Sequence, residues 1–303
     1  MHYQRVQSYF GNQGRGSIAF VAPAVSAMLA AARSTNTLDS LAKSATFTDK
    51  CRSYAENNGL VDVLNGRYQF PIRGGMQGVR YTKLTRLATH DEVDGCNAIV
   101  NDLFTHQLVG YSAAVISKLA KVVGELHDNV ASHASGAGFS CAQVYQDNEG
   151  RRIEFAIADA GCGMLKNVSR EYSQIADDRD AIKWCLQKGN TTARQPDNWA
   201  QRLPDDSICS PYPDDVDTIR SDDHHVGEGL WQLCELVRGS SGKFVVLSGK
   251  GEYLVDAEKE FVRESCVAWP GVVVEFEITI PIDTDQAQRQ SDHLEAIARR
   301  IGI

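Results

Sequence analysis

Three short stretches of the chain carry residue types that can do chemistry together. The first is Glu125-Leu126-His127-Asp128-Asn129. Glu125 and Asn129 are four residues apart, so on a helix they share one face. A carboxylate at the edge of an apolar stripe can orient or deprotonate a water. An amide oxygen one turn further on can ligate Mg²⁺, which takes oxygen donors and keeps water and phosphate as its other ligands. The second stretch is Asp159-Ala160-Gly161-Cys162-Gly163-Met164. An Asp at a strand terminus can accept a hydrogen bond from an exocyclic amine such as that of adenine, Gly161 lets the backbone approach a flat base, and Gly163 can act as a hinge. The third is Gly227-Glu228-Gly229-Leu230. Glycines at a helix start expose N–H groups, and the helix dipole favours an anion there. Each stretch alone has a bland reading: a solvated helix edge, an Asx-capped turn, a loop-to-helix turn. Together they supply a base, a metal ligand, an adenine acceptor and a phosphate cradle, in order along the chain.

The elements that must position them are legible in outline. Leu119, Val122, Val123, Leu126 and Val130 recur at helical spacing, which puts Glu125 and Asn129 on a helix that Gly136 and Gly138 end. Strands are predicted at Ser140 to Tyr145 and Ile153 to Asp159, joined by a turn at Asp147-Asn148-Glu149-Gly150, so Asp159 closes a strand. A helix is predicted near Asp180 to Gln187, a polar stretch with four of the eight prolines from Gly189 to His225, then a helix from Gly229 to Arg238 and a strand from Phe244 to Ser248. Val274, Phe276, Ile278 and Ile280 alternate with Glu275, Glu277 and Thr279, a strand with one buried and one wet face. Ahead of all this, Ser17 to Val21 reads as a short strand, Ala24 to Ala32 and Thr48 to Glu56 as helices, Leu60 to Leu64 as a short helical piece and Tyr81 to Leu87 as a strand. Residues 284 to 303 read as a polar linker and short terminal helix.

With these motifs in place, the chain resembles the GHKL ATPase superfamily, whose fold is shared by gyrase B subunits, large heat-shock chaperones, histidine kinases and MutL-like repair proteins. Glu125 to Asn129 matches its asparagine box, Asp159, Gly161 and Gly163 its first glycine box, and Gly227, Gly229 and Leu230 its second. The resemblance spans residues 110 to 282. It implies an α+β fold, the two-layer Bergerat sandwich with a mixed sheet under helices, over residues 89–283, with an ATP lid at about 164–226. Residues 1–88 are expected to form a small α/β unit that looks like the end of a STAS-like one, and 284–303 a tail helix. The expected site residues are Glu125 as catalytic base, Asn129 on Mg²⁺, and His133, Asp159, Gly161, Gly163, Met164, Glu228, Gly229 and Leu230 around ATP. The Asn129-to-His133 stretch and Lys188-Gly189-Asn190-Thr191-Thr192 resemble the anti-sigma-factor kinases, which adds Lys188 and Thr192. Lys188 and Arg194 are lid cations that can reach phosphate, and His224 and His225 precede the cradle. Many family members carry Gly-Thr before the last strand, where the Thr supports the adenine-binding Asp. Here Gly271 is followed by Val272, and the second contact to the base is in question.

Composition narrows the classes. The net charge of −8 with no basic stripe argues against a non-specific nucleic-acid binder. No secretory leader is seen, and Ile18 to Ala32, interrupted by Pro23, reads as a buried helix rather than a membrane span. Eight scattered cysteines without a CxxC pair read as reduced thiols of a cytoplasmic protein. The His127–His133 spacing suits a shared metal poorly. Three functions stay open: a slow ATPase switch, a serine/threonine kinase of the anti-sigma type in which Glu125 activates a partner's hydroxyl, and a nucleotide-binding adaptor. A histidine autokinase is disfavoured because His106 lies so close to Glu125, and a topoisomerase or repair transducer because about twenty residues follow the last strand. A homodimer or a protein partner is expected to read the lid.

Overall fold

The apolar stripe from Leu119 to Val130 forms the inner face of a helix, with all five of its side chains buried. The structure, a computed structural model, describes residues 2–35, 38–69, 80–108, 113–133, 137–146, 150–190, 228–257, 259–281 and 284–302. In chain order these form α1 (Tyr3–Gly11), α2 (Pro23–Ala32), α3 (Asp39–Lys43), α4 (Asp49–Asn57), α5 (Leu60–Leu64), β1 (Thr85–Leu87), α6 (His90–Gln107) and α7 (Ala113–His133). They continue as β2 (Gly138–Gln146), β3 (Gly150–Asp159), α8 (Gly163–Val168), α9 (Asp178–Cys185), α10 (Gly229–Gly239), β4 (Lys243–Asp256), β5 (Lys259–Pro281) and α11 (Thr284–Ile301). Thr89 starts α6 with a reciprocal cap. Its hydroxyl accepts the Glu92 N–H at 3.3 Å, and the Glu92 carboxylate accepts the Ala88 N–H at 2.9 Å.

The fold is α+β, built on an open five-stranded sheet in the order β1-β2-β3-β5-β4. Every pairing is antiparallel, where a mixed sheet was expected. For β2–β3 and β4–β5 the reason is local: each pair is joined by a short connection, which only antiparallel neighbours allow. The β4–β5 hairpin is far longer than the two strands predicted there. It reaches out to Asp256 and Lys259 after register shifts at Ser248 to Gly251. Such bulges bend a ribbon and increase its twist.

Helices cover both faces of the sheet, giving three layers rather than two. On the front, α6, α7, α10 and α11 pack on Ile153, Phe155, Ile157, Phe244, Val246, Val274, Phe276 and Ile278. On the back, α1 and α2 pack on Phe139, Cys141, Ala156, Ala158, Val245, Leu247 and Val273, and α5 and α4 extend this layer, α5 against α2 and α4 against α5. All ten residues of α2 are buried, as the sequence suggested for this apolar run. Its alanines meet Ala156 and Ala158, so helix and sheet approach closely, and burying Val25, Met28 and Leu29 contributes roughly 1.5–3 kcal/mol each.

Two expectations change here. The polar face of β5 is not wet: Glu275 is 4% exposed, because the start of α1 lies on it and the N–H groups of His2 and Tyr3 donate to its carboxylate at 2.9 and 3.2 Å. Among the described residues of 2–69 the regular elements are the helices α1–α5, with one parallel bridge, Ile18 to Phe47, where a strand was predicted. The strand at 85–87 belongs to the edge of the main sheet, paired with β2.

Candidate functional site

Asp159 ends β3 with its carboxylate almost fully buried and held by backbone. Oδ1 accepts the Gly161 N–H at 2.7 Å, and Oδ2 accepts the Val272 N–H at 3.2 Å. The indole N–H of Trp269 donates to the Asp159 carbonyl at 2.7 Å. Burial pushes the carboxyl up to about 6, against the pull of the two N–H groups. Gly271 makes this packing feasible: a Cβ there would collide with the Asp159 carboxylate and lie 2.6 Å from the Gly161 nitrogen. Val272, standing where a Thr was expected, supports Asp159 through its backbone N–H instead of a hydroxyl. Gly163 sits at φ +71° as the first residue of α8, a left-handed conformation that glycine adopts without strain. The Met164 N–H then donates to Ser248 Oγ at 2.8 Å, tying the turn to β4.

The other two motifs meet at one glycine. A Cβ on Gly229, the first residue of α10, would lie 2.5 Å from Glu125 Oε2 and 2.9 Å from Glu125 Cβ. The half-buried acid of α7 therefore rests against the start of α10, where N–H groups lack helical partners. Gly138 brings α7 against the first glycine turn: its missing Cβ is filled by Val130, next to Asn129, and would lie 3.4 Å from Asp159 Cβ. Asn129 itself is exposed one turn beyond Glu125. Glu228 is half-buried just before α10, with Gln232 Nε2 at 3.5 Å from its Oε2, and Leu230 is buried in the front core. Lys188 places its Nζ 5.0 Å from the centre of the Trp231 ring, beside the same helix start.

So the structure brings Glu125, Glu228, Gly229, Leu230 and Lys188 together, and separately Asp159, Gly161, Gly163 and Met164, the second group beside Val130 and Gly138. Thr192, Arg194, His224, His225 and Gly227 lie outside the described residues, as does the side chain of His133. Of the expected lid, residues 164–190 are described. Its helix α9 is fastened to β4 by Asp178, whose Oδ2 accepts the Lys250 N–H at 2.8 Å.

His127 is a core residue. It is fully buried, with Nδ1 2.6 Å from Asn97 Oδ1 and Nε2 2.8 Å from Ser140 Oγ, and burial pushes its pKa down to about 3. It stays neutral and ties α7 to α6 and β2.

Ser248 was not singled out by sequence, because a serine closing a predicted strand carries no signal of its own. The same is true of His2, Glu154 and Glu277, whose candidate ligand atoms all lie within 4.8 Å of one another on the back face. That cluster is already occupied by protein groups. Glu154 accepts from Gln143 at 2.7 Å, from Tyr145 at 2.5 Å and from His2, and Glu277 faces Arg152 and Lys243. Burial alone would raise the Glu154 pKa, but these hydrogen bonds hold it below its ordinary value. The arrangement anchors the start of α1.

Among the described residues the cysteines are free thiols, and no helix is long and apolar enough to cross a membrane. No family model, curated protein or solved structure matches the chain.

Proposed function

We propose that the protein binds ATP with Mg²⁺ and hydrolyses it slowly as a conformational switch. The observation that carries this reading is the packing of Glu125 on Gly229, with Asp159 held at the adjoining strand end. In this reading Asp159 accepts the exocyclic amine of adenine, and the glycine turn to Met164 borders the base. The start of α10 offers N–H groups and the positive end of its dipole to the phosphates. Glu125 beside it orients and deprotonates the attacking water, an action that contributes about 10²–10⁴-fold. Lys188 needs only to leave Trp231 to add a cation. Mg²⁺, held through Asn129, would supply charge neutralisation at the phosphates.

The finer assignments belong to the same proposal: a GHKL member with a Bergerat-type unit at 89–283, located in the cytoplasm, and a lid read by a second copy or a protein partner. The all-antiparallel sheet and the back layer of helices then depart from the mixed, two-layer form expected of that unit.

The test is phosphate release from Mg·ATP by the wild type and Glu125→Gln, with calorimetric binding alongside. Release by the wild type, and binding without release by Glu125→Gln, is the expected result. Binding by both with release by neither moves the search to transfer onto a protein hydroxyl or to an adaptor role. A wild type that does not bind ATP overturns the proposal.

A further inference from the structure

The cation beside the start of α10 is engaged by an aromatic ring. Lys188 is an exposed side chain on the turn that follows α9, and its Nζ lies 5.0 Å from the centre of the Trp231 ring. The ring, not a carboxylate, is its partner among the described residues. The turn is tightly built. The Gln187 N–H donates to the Trp184 carbonyl at 3.1 Å, and the Asn190 side-chain amide donates to the same carbonyl at 2.9 Å and to Gln187 Oε1 at 3.0 Å. Below it, Ile182 is buried in the front core and Asp178 is tied to β4, so the stem of the turn is fixed. Its tip has room: Gly189 has φ +81°, and a Cβ there would meet nothing within 4 Å. Trp231 is the third residue of α10, partly buried against the front core. Its ring therefore stands beside the first turn of that helix, whose N–H groups lack helical partners. A cation is disfavoured at that end, because the helix dipole is positive there. Two positive elements converge on one place, and the negative face of the indole offsets this for the ammonium.

We infer that the contact between Lys188 and Trp231 is an autoinhibitory latch: the ring competes with the terminal phosphate of a nucleotide for the ammonium, and so sets how strongly a triphosphate is preferred over a diphosphate. The inference rests on the ATP reading above. A terminal phosphate at the start of α10 offers full negative charge where the ring offers only a quadrupole, so it draws Lys188 away. That capture must first break the contact with Trp231. The observed affinity for a triphosphate is then lower than an unlatched Lys188 would give. A diphosphate lacks the group that captures the lysine and leaves it on the ring. Removing the ring should therefore tighten triphosphate binding. That sign is opposite to the one expected from loss of a ligand contact or from damage to the fold.

The experiment measures Mg·ATP and Mg·ADP binding by calorimetry in the wild type, Trp231→Leu, Lys188→Met and the double variant. Trp231→Leu is expected to bind ATP about two- to fivefold more tightly, the worth of an exposed cation–π contact, with ADP affinity unchanged. Lys188→Met should weaken ATP and leave ADP as it was. In the Lys188→Met background, Trp231→Leu should no longer change ATP affinity, because the two residues act as one unit. Trp231→Phe keeps an aromatic packing surface with a weaker cation–π face and should give a smaller gain, which keeps the test open if Trp231→Leu does not fold. ATP affinity that stays the same or falls in both Trp231 variants overturns the latch while leaving the ATP reading intact. So does a gain that persists without Lys188, or one that is equal for ATP and ADP. A wild type that binds neither nucleotide removes both.

Discussion

In the proposed ATP reading, the carboxyl of Asp159 gives nucleotide choice a pH dependence whose sign follows from its burial. Burial places its pKa at about 6, so about one carboxyl in thirty is protonated at pH 7.5 and about ten in eleven at pH 5. Both oxygens already accept a backbone N–H. The ionised group keeps lone pairs for an exocyclic amine, whereas the protonated group has spent one on its own proton and become a donor. Acidification should therefore weaken ATP and favour inosine triphosphate, which carries a carbonyl where adenine has the amine. Titration of the phosphates affects both ligands alike and cancels in the ratio. The affinity ratio of ATP to inosine triphosphate should fall by at least about tenfold from pH 7.5 to pH 5, following the ionised fraction. Calorimetric titration of both nucleotides at the two pH values measures it. A ratio independent of pH would show that Asp159 does not face the base edge, and the assignment of the first glycine turn would fail with it.

Other outcomes follow from the same contacts. Gly229→Ala puts a methyl group 2.5 Å from Glu125 Oε2. It should lower stability by roughly 1–3 kcal/mol in a denaturant titration and cut phosphate release at least tenfold while ATP still binds. Unchanged release would separate Glu125 from the chemistry. His127 resists protonation in the fold to about pH 3, so below its ordinary 6.5 the unfolded chain takes up a proton that the folded chain does not. Its contribution therefore falls by about 1.4 kcal/mol per pH unit on acidification. Asp159 acts oppositely: the folded chain binds its proton first, so stability gains as pH falls through 6. His127→Gln removes the first slope and leaves the second, so its deficit against wild type should shrink by about 2 kcal/mol from pH 6.5 to 5, and parallel urea midpoints would contradict this. Removing residues 1–4 strips Glu275 of two N–H donors and Glu154 of His2, and should destabilise by about 3–5 kcal/mol. Glu275→Gln should recover part of that loss in the trimmed chain.

The front of this fold was legible because its signals are local. The α7 stripe repeats every three to four residues, and β3 and β5 alternate, so both the elements and the position of Asp159 at a strand end could be read. What alternation cannot say is what covers the second face. Glu275 read as solvent-facing and is instead buried beneath a helix more than 250 positions away in the chain. That helix carried a faint signal of its own in Tyr3, Val6 and Phe10, diluted by the polar residues between them. Its polar partners, such as Tyr3 with Glu252 at 2.7 Å, depend on contacts that no short window contains. The outer β4–β5 ribbon was missed for a similar reason: the predicted strand stops at Ser248, before Gly249 and Gly251, which make room for α9. Asp178 packs at Gly249, and a Cβ on Gly251 would lie 2.8 Å from Ile182.

The described glycines Gly163, Gly229 and Gly271 admit an ordinary explanation, since the space a Cβ would take at each is filled by another part of the protein. The identity of what fills it argues further. At Gly229 the neighbour is the carboxylate of Glu125, and at Gly271 it is the carboxylate of Asp159. A fold selected for stability alone would place methyl groups there, because moving a carboxyl from 3.8 to about 6 corresponds to roughly 3 kcal/mol against its ionised form at neutral pH. The front core a few residues away does so, with Val274, Phe276 and Leu233 fully or nearly fully buried. Two acids pressed against glycines, at one end of a sheet whose front face is mostly apolar apart from the His127–Ser140 pair, fit chemistry directed outward better than packing. That contrast within one surface favours a ligand site over a structural turn.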